Sequence, residues 1–348
     1  MTSKKLLEIL TLVQALSVRQ RKALAAHLAA MDKAPEAIEV IEQRQHDKPH
    51  CPHCGKCHVV RNGHCDGLQR YLCRDCSITF NALTATPLAH LHLRGKWLAQ
   101  AQALRDGLSL SQVQQRLGIA RTSALRWRHR FLTTPKGIRA QRLTGVAEAD
   151  QTYFRRSEKG ERHGLLRKAR RRGGKPSGRR RSHELVAVLV ARDRAGQTAD
   201  FILEVDDSEH AADKLKPLVA KDAIICTEGD ATMCATARKL GIEHHAVNVS
   251  AGMRVDGPWH VQNVNAYHSR LKALMRRFKG VSTKYLDCYL GWFRIIDRAP
   301  HVVAEPASLL AVALHDRDRV QHLGGDRARV GQAVLARARQ PPHAPADE

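Results

Sequence analysis

Three side chains, far apart in the sequence, have the chemical types that hold divalent metal ions. Asp150 stands at the expected end of a strand, Glu228 directly follows an apolar segment, and Asn265 lies on a predicted helix. Phosphoryl transfer on DNA uses such groups when they converge at the edge of a sheet, because two metal ions about 3.5–4 Å apart then activate the nucleophile and stabilise the leaving oxygen. The three residues are therefore candidate ligands of catalytic Mg²⁺ or Mn²⁺.

Lys272 extends this candidate site. It lies seven residues after Asn265, two helical turns further along the same face, where it can contact a phosphate of a bound strand. Each residue also has a simpler interpretation, since acids near strand ends are often solvated caps and a helical Asn often only makes hydrogen bonds. Asp230, two residues after Glu228, either supports the site or is incidental. The combination of residues, rather than any one of them, indicates catalysis.

Six of the nine cysteines fall between Cys51 and Cys76, a cluster that a secreted disulfide scaffold does not explain. Cys51 and Cys54 form one C-x2-C pair, Cys73 and Cys76 form another, and 18 residues separate the pairs. Two such pairs close a tetrahedral shell about one Zn²⁺ and leave no coordination position open for catalysis. We predict a structural zinc ribbon, with buried free thiols as the alternative. Spare candidates for the ligand set are Cys57, Cys65, His53 and His64.

Residues 108–132 have the pattern of two helices joined by a turn at Gly118 and Ile119. Ser109 or Ser111 can cap the first helix. We predict a helix-turn-helix whose second helix enters the major groove of DNA, with a plain helical hairpin as the alternative. The expected core of the pair is Val113, Leu117, Ile119, Leu125 and Trp127. The predicted DNA-contact residues of the second helix are Arg121, Arg126, Arg128 and Arg130.

A strongly basic insertion occupies residues 155–181, where 13 Arg or Lys stand against two Glu, a net charge of +11. The insertion is either a solvated loop or an arm that binds the DNA backbone and becomes ordered there. An arm of this kind cannot specify sequence by itself. Its predicted DNA-contact residues are Arg170, Arg171, Arg172, Arg179, Arg180 and Arg181.

The second half of the chain alternates strands and helices. Strand patterns cover 145–154, 185–191, 198–205, 223–227 and 244–249, and helical patterns cover 209–220, 231–241 and 261–278. Such alternation predicts a mixed α/β sheet covered by helices. The N-terminal part instead has amphipathic helical patterns over 4–30 and 36–45, which more often serve packing than partner binding.

At the acidic residues the chain resembles a known family, the DDE-type transposases of bacterial insertion sequences, and in particular the zinc-ribbon group whose ribonuclease-H-like domain often ends in Asn plus Lys. The resemblance extends over residues 45–298. The stretches that carry it are 146–154, 225–229, 241–245, 260–272 and 280–294. The resemblance implies a homo-oligomer that performs Mg²⁺-dependent DNA strand transfer on the terminal repeats of the element.

The resemblance also assigns roles to the candidate residues. Asp150 matches the first catalytic Asp, Asn265 the third position and Lys272 the associated lysine. The second position departs from the family pattern of Thr-Asp-Gly, because Glu228 stands between Thr and Gly in this chain. The extra methylene moves the carboxylate by about 1 Å, and a displacement of that order can cost about 10²-fold in rate. Gln151 likewise stands where the family usually has Glu.

The overall charge favours a polyanionic partner. Lys and Arg number 58 against 34 Asp and Glu, a net charge of +24, which attracts nucleic acid. The apolar run 185–191 is far shorter than the about 20 residues that span a bilayer, and residues 1–30 lack the apolar core of a signal peptide. We therefore expect a cytoplasmic, nucleoid-associated protein without a membrane span. Its expected partner is double-stranded DNA at terminal inverted repeats and target sites.

Together these patterns predict a multidomain α+β protein. The expected order is an N-terminal helical segment (1–48), a zinc ribbon (49–80), a helix-turn-helix (81–135), a ribonuclease-H-like α/β catalytic domain (144–298) and a C-terminal tail (299–348) that is either an altered or a disordered end. The predicted function is that of an insertion-sequence transposase. One alternative is a catalytically impaired, transposase-derived DNA-binding protein or regulator. A zinc-ribbon factor that contacts RNA polymerase would leave residues 145–295 unexplained.

Overall fold

A computed structural model describes residues 3–32, 34–46, 49–161, 184–247, 252, 255–298 and 305–314. The chain divides into two units, Met1–Phe131 with Glu305–Asp316, and Leu132–Ala304 with Arg317–Glu348. The division falls close to residue 135, where the helix-turn-helix was expected to end. Among the described residues, no helix combines the length and the apolar character needed to cross a lipid bilayer.

The first unit is mostly helical and contains one small antiparallel sheet. Its helices are α1 (Ser3–Ala15), α2 (Val18–Asp32), α3 (Ala34–Glu42), α4 (Trp97–Arg105), α5 (Leu110–Leu117), α6 (Arg121–Phe131) and, from the C-terminal end of the chain, α11 (Pro306–Ala313). Its sheet has the order β1 (Val59–Cys65), β2 (Leu68–Cys73), β3 (Thr79–Asn81). The helical pattern over 4–30 is two helices, because Ser17 caps α2 through reciprocal hydrogen bonds with Gln20.

Helices α5 and α6 form the helical pair that the sequence predicts. The Ser109 side chain accepts a hydrogen bond from the Gln112 amide and the Gln112 side chain accepts one from the Ser109 amide, so a capping box starts α5. Val113, Leu117, Ile119 and Trp127 are buried as expected. Leu125 is 42% exposed, so its assignment to the core is wrong: it lies on the outer face of α6.

The C-terminal segment is more than a tail. Helix α11 buries Leu309, Leu310 and Val312 and packs against α3, α4 and α6 within the first unit. The disordered alternative for 299–348 is therefore wrong for this helix, because its apolar residues supply a packing face and Pro306 suits the first turn. Residues 299–304 and 315–348 lie outside the described residues.

The second unit is built on a five-stranded mixed sheet of order β6-β5-β4-β7-β8. Strands β4, β5 and β6 are antiparallel neighbours, whereas β7 runs parallel to β4 and β8 parallel to β7. A short hairpin, β9–β10, precedes α9. The elements are β4 (Val146–Arg155), β5 (Leu185–Asp193), β6 (Thr198–Ile202), α7 (Ser208–Leu215), β7 (Ile224–Thr227), α8 (Ala231–Leu240), β8 (Glu243–Ala246), β9 (Val255–Asp256), β10 (Trp259–His260), α9 (Gln262–Arg277) and α10 (Leu286–Arg298).

The two faces of this sheet have different coverings. One face is an apolar core with α7 and α8, in which Ala147, Ala149 and Ile225 take part. Helix α9 contacts β4 and β5, and α10 contacts β6. Because successive side chains of a strand point to opposite faces, Glu148 and Asp150 face α9 rather than the apolar core.

Helix α10 packs directly on the turn Pro135–Gly137. A Cβ atom on Gly291 would lie 2.3 Å from the Pro135 carbonyl oxygen, so only glycine allows this approach. Arg294 donates from Nε to the Ile138 carbonyl at 2.8 Å, and its guanidinium pairs with the fully buried Asp200. Close packing therefore explains why the stretch at 291–294 begins with Gly291 and ends with Arg294.

Candidate active site and cysteine cluster

The pairing of β4 with β7 brings the two candidate acids together. The parallel register joins Ala147 with Ile225 and Glu148 with Cys226. Asp150 and Glu228, the first residue after β7, each lie two residues beyond the last of these pairs. Continuation of the same register would set the two acids beside each other, at the strand spacing of about 4.8 Å. Asp150 stands in the middle of β4, so its expected position at a strand end is wrong: β5 pairs with β4 as far as Arg155.

Helix α9 lies against both acids. The Asn265 amide donates from Nδ2 to Glu228 Oε1 at 2.9 Å. One helical turn later, His268 Nδ1 lies 3.6 Å from Asp150 Oδ2. Lys272 is a further turn along and exposed. The structure thus brings together Asp150, Glu228 and Asn265, with Lys272 on the same helix and two turns beyond Asn265.

His268 was not among the site residues predicted from the sequence. Its side chain is almost fully buried, and burial together with the Lys272 ammonium lowers the pKa of His268 to about 3, so the imidazole is neutral at physiological pH. Among the described residues, Nε2 has no hydrogen-bond partner. The signal that could have revealed it is spacing, since His268 lies three residues after Asn265 and four before Lys272.

Glu148 was also not among the site residues predicted from the sequence. It is fully buried and accepts hydrogen bonds from three donors: Val264 N to Oε2 at 2.9 Å, Asn263 Nδ2 to Oε1 at 2.8 Å and Arg194 Nη1 to Oε1 at 2.6 Å. The only sequence signal is a charged residue among the apolar residues Val146, Ala147 and Ala149. Glu148 joins β4 to the first turn of α9.

Asp230 has a local structural role. Its Oδ1 accepts hydrogen bonds from Thr232 N at 2.8 Å and Met233 N at 3.3 Å, so it caps α8. Between it and Glu228, Gly229 has φ +79° and its Cβ position would lie 3.3 Å from Ala246 Cβ. A tight turn that needs glycine therefore connects Glu228 to the cap.

The donor set at the acid pair suits a hard divalent ion. Mg²⁺ is usually held by one or two carboxylates together with waters and substrate phosphates, and amide oxygens are compatible ligands. Asp150 and Glu228 supply two carboxylates, and the Asn265 amide already lies on Glu228. Asp150, Glu228 and Asn265 are thus the residues that could hold Mg²⁺ or Mn²⁺.

The four paired cysteines converge in the first unit. Their sulfur atoms lie within 4.8 Å of one another, and this is the one group of three or more His, Cys, Asp or Glu ligands among the residues that the structure describes. Two of the sulfur pairs, Cys51 with Cys76 and Cys54 with Cys73, are 3.6 Å apart. A zinc tetrahedron with bonds of about 2.3 Å requires sulfur separations of about 3.8 Å, so the quartet fits this ion.

The spare candidates do not belong to this quartet. Cys57, Cys65, His53 and His64 are exposed, and none is part of the group of converging ligands in the described chain. Burial disfavours the thiolate of Cys73, but hydrogen bonds from the amides of Cys76 and Asp75 outweigh it and lower the pKa of Cys73 to about 7. That shift favours the form that binds a metal.

The predicted DNA-contact arginines of α6 differ in their surroundings. Arg121 and Arg126 are exposed. Arg128 is 2% exposed and donates from Nη2 to the Leu108 carbonyl at 2.5 Å, so we leave it out of the DNA-contact set. Arg130 is half-buried and donates to the Ala89 carbonyl. The remaining arginines, all in the basic insertion, lie outside the described residues: Arg170, Arg171, Arg172, Arg179, Arg180 and Arg181.

Comparison with known proteins identifies one domain of the chain. Residues 142–294 match the ISXO2-like transposase domain. The match covers 153 of the 348 residues. The matched region contains Asp150, Glu228, Asn265 and Lys272.

Two individual proteins are similar to this chain. It is 26% identical over 244 residues to an uncharacterized protein in the transposable element ISH50 of Halobacterium salinarum, an alignment that covers 68% of this chain and 81% of the relative. A chain in the crystal structure of a pre-cleavage Mos1 transpososome aligns with 71% of this chain and 80% of its own length, at 14% identity and a TM-score of 0.25.

Proposed function

We propose that the chain cleaves DNA at the terminal inverted repeats of its insertion sequence and joins the freed 3′ ends to target DNA. The observation that carries this proposal is the convergence of Asp150, Glu228 and Asn265. A parallel strand pair sets the two acids side by side, and the α9 amide bonds to one of them. Side chains that lie 78 and 37 residues apart in sequence thus form one candidate metal site.

The catalytic unit is proposed to be ribonuclease-H-like. Three antiparallel strands followed by two parallel ones, with the first acid on the central strand β4, support this assignment. The helices on both faces are consistent with it. The sheet provides the rigid base on which two acids from different strands can be held at fixed separation.

Each residue has a distinct role in this mechanism. Asp150 and Glu228 would hold divalent ions, with the Asn265 oxygen as a further ligand, and bound ions would supply Lewis-acid activation and charge neutralisation. Lys272, exposed on α9, binds a phosphate of the strand being cut. Neutral His268 packs against Asp150 and keeps water from that side of the carboxylate. Positioning and charge neutralisation are thus the contributions of the protein to catalysis.

The first unit is proposed to recognise DNA. Zn²⁺ held by Cys51, Cys54, Cys73 and Cys76 fixes the small sheet, and α5 with α6 acts as a helix-turn-helix in which Arg121 and Arg126 reach the DNA. The net charge of +24 supports a double-stranded DNA partner. A homo-oligomer is proposed to hold two element ends together.

Strand cleavage tests this function. The purified protein is incubated with an end-labelled duplex of its own terminal repeat in Mg²⁺, in Mn²⁺ and in chelator, beside Asp150→Asn prepared in the same way. We expect nicks at the repeat end only with a divalent ion and only with the wild-type protein. Equal cleavage by both proteins would reveal a contaminating nuclease, and no cleavage by either would contradict the enzymatic proposal.

Glu228 supports a second candidate function, a catalytically impaired DNA-binding protein or regulator, because a longer acid occupies the position of the family's Asp. Gel shifts separate the two functions. A regulator would bind the terminal repeat and leave it uncut, and Glu228→Asp would bind it equally well and still leave it uncut.

A further inference from the structure

Helix α9, which carries Asn265, receives its N-terminal hydrogen bonds from residues outside the helix. The amide of Gln262, its first residue, donates to His260 Nδ1 at 3.3 Å. Its N-cap residue, Val261, makes no side-chain capping hydrogen bond. The first amides of a helix need acceptors, and a negative charge near the N-terminus is stabilising there. Glu148 supplies both from a different element, since its Oε2 accepts from the amide of Val264, the residue just before Asn265.

We propose that Glu148 is a positioning residue that fixes the first turn of α9 on β4 and so sets Asn265 against Glu228. This inference rests on the proposed function, because it concerns the geometry of the same metal site. Glu148 and Asp150 project from one face of one strand. The strand that supplies the first acid therefore also fixes the helix that supplies the third ligand.

The charge of Glu148 is compensated by Arg194, and the ring of His260 lies beside it. Arg194, which follows β5, donates from Nη1 to Oε1 at 2.6 Å and from Nη2 to the Pro258 carbonyl at 3.0 Å. His260 Nδ1, at the end of β10, lies 3.3 Å from Oε1. A single carboxylate thus joins β4, the end of β5, the β9–β10 hairpin and α9. Such a shared acceptor fixes a position more tightly than a solvated helix cap, because each partner restricts the others.

A second buried acid on the same face provides a matched control. Asp200 on β6 is also fully buried, and it accepts a hydrogen bond from Tyr267 Oη at 2.8 Å and pairs with Arg294. It anchors the middle of α9 and not its first turn. Tyr267→Phe therefore removes a buried hydrogen bond of α9 while leaving the Glu148 contacts in place.

Glu148→Gln keeps the size of the side chain and changes its bonding. One carboxylate oxygen becomes an NH₂ group, which must then face either the Val264 amide or the donors of Asn263 and Arg194. A donor that faces a donor is left unsatisfied, so the first turn of α9 moves away from β4. A displacement of about 1 Å at a reacting group can cost about 10²-fold in rate, and loss of a residue that orients ligands typically weakens metal binding by about 10- to 100-fold.

The experiment compares full-length wild type, Glu148→Gln and Tyr267→Phe. Three quantities are measured: binding of Mn²⁺ alone by electron paramagnetic resonance, amide hydrogen exchange over 260–268 against 270–277, and cleavage of the terminal repeat. We expect Glu148→Gln to weaken Mn²⁺ binding by about tenfold or more, to speed exchange only in the first turn and to slow cleavage by about 100-fold, with DNA affinity within about twofold. Tyr267→Phe should leave Mn²⁺ binding and cleavage near wild type.

Unchanged Mn²⁺ binding and unchanged exchange in Glu148→Gln would overturn the positioning role, even if the wild-type protein cleaves DNA. Conversely, a wild-type protein that never cleaves would contradict the proposed function, while the Mn²⁺ and exchange measurements would still decide the role of Glu148. If Glu148→Gln does not fold, Asn263→Ala is used instead, because it removes one hydrogen bond to Glu148 by changing a half-buried side chain. It should speed exchange over 260–268 and weaken Mn²⁺ binding in the same direction, and a failure to do either would also overturn the role.

Discussion

Glu228→Asp tests whether the longer acid limits the rate of the proposed DNA cleavage. In the structure, Glu228 reaches Asn265, with 2.9 Å between Oε1 and Nδ2. Removal of one methylene draws the carboxylate back by about 1 Å and lengthens that contact to about 3.9 Å, beyond the 2.7–3.2 Å of a hydrogen bond. The shorter side chain also matches Asp150 on the neighbouring strand, so both carboxylates then extend equally far from the sheet.

Two measured quantities should therefore change in opposite directions. Loss of a half-exposed hydrogen bond lowers the free energy of unfolding by about 1 kcal/mol or less. Correct placement of the carboxylate raises the cleavage rate by up to about 10²-fold, which corresponds to about 2.7 kcal/mol of barrier. A variant that is slightly less stable and much faster cannot be explained by improved folding.

The assay is single-turnover cleavage of an end-labelled terminal repeat in Mg²⁺ and Mn²⁺, with thermal unfolding of the same samples. Glu228→Gln is the control for charge, because it keeps the length and removes the carboxylate, and it should cleave far more slowly than wild type. If Glu228→Asp cleaves at or below the wild-type rate while Glu228→Gln is inactive, the longer acid is the working form of this site. The reasoning from side-chain length would then be refuted.

Three further predictions follow from the packing and the charges. Removal of Zn²⁺ by a chelator should abolish the circular dichroism signal of the small sheet and weaken DNA binding, because structural zinc contributes on the order of 10 kcal/mol in zinc-finger peptides. The second unit should still unfold at its usual temperature. Unchanged spectra and unchanged DNA affinity would contradict the metal assignment. Arg121→Ala and Arg126→Ala should each weaken DNA binding and reduce the slope of log affinity against log salt concentration by about 0.9. Arg128→Ala should mainly lower the stability of the fold. A wild-type affinity that does not change with salt would contradict the charge argument. Gly291→Ala sets a Cβ atom 2.3 Å from the Pro135 oxygen, so it should destabilise the second unit by about 1–3 kcal/mol. Calorimetry should show this as a lower unfolding temperature. An unfolding temperature equal to that of the wild type would show that α10 can move away from the turn.

The elements of the second unit could be predicted closely from the sequence. The expected strand 223–227 is β7 at Ile224–Thr227, and the expected helix 261–278 is α9 at Gln262–Arg277. Both depend on local signals, a buried apolar run and an amphipathic repeat. The predicted cysteine quartet is likewise brought together, because paired C-x2-C spacings constrain the chain strongly.

Long-range pairing accounts for what the sequence did not reveal. Asp150 was expected at a strand end because polar residues follow it, but the length of β4 depends on its antiparallel partner β5. The role of Glu148 depends on a contact with α9, more than 100 residues later. The helix α11 was hidden in a segment that is otherwise rich in Gly, Pro and charge. Local periodicity contains no information on which distant element completes a contact.

The departure from the family pattern at Glu228 has a physical reason in this fold. Asp150 lies inside β4 and is paired with Val190 of β5, while Asn265 follows directly after the turn that Glu148 holds. Glu228, by contrast, is the first residue beyond the paired part of β7, and Gly229 and the Asp230 cap redirect the chain immediately after it. A backbone outside the ladder can shift by a fraction of an ångström without breaking sheet hydrogen bonds. Residue 228 is therefore the member of the site at which one extra methylene is most easily accommodated.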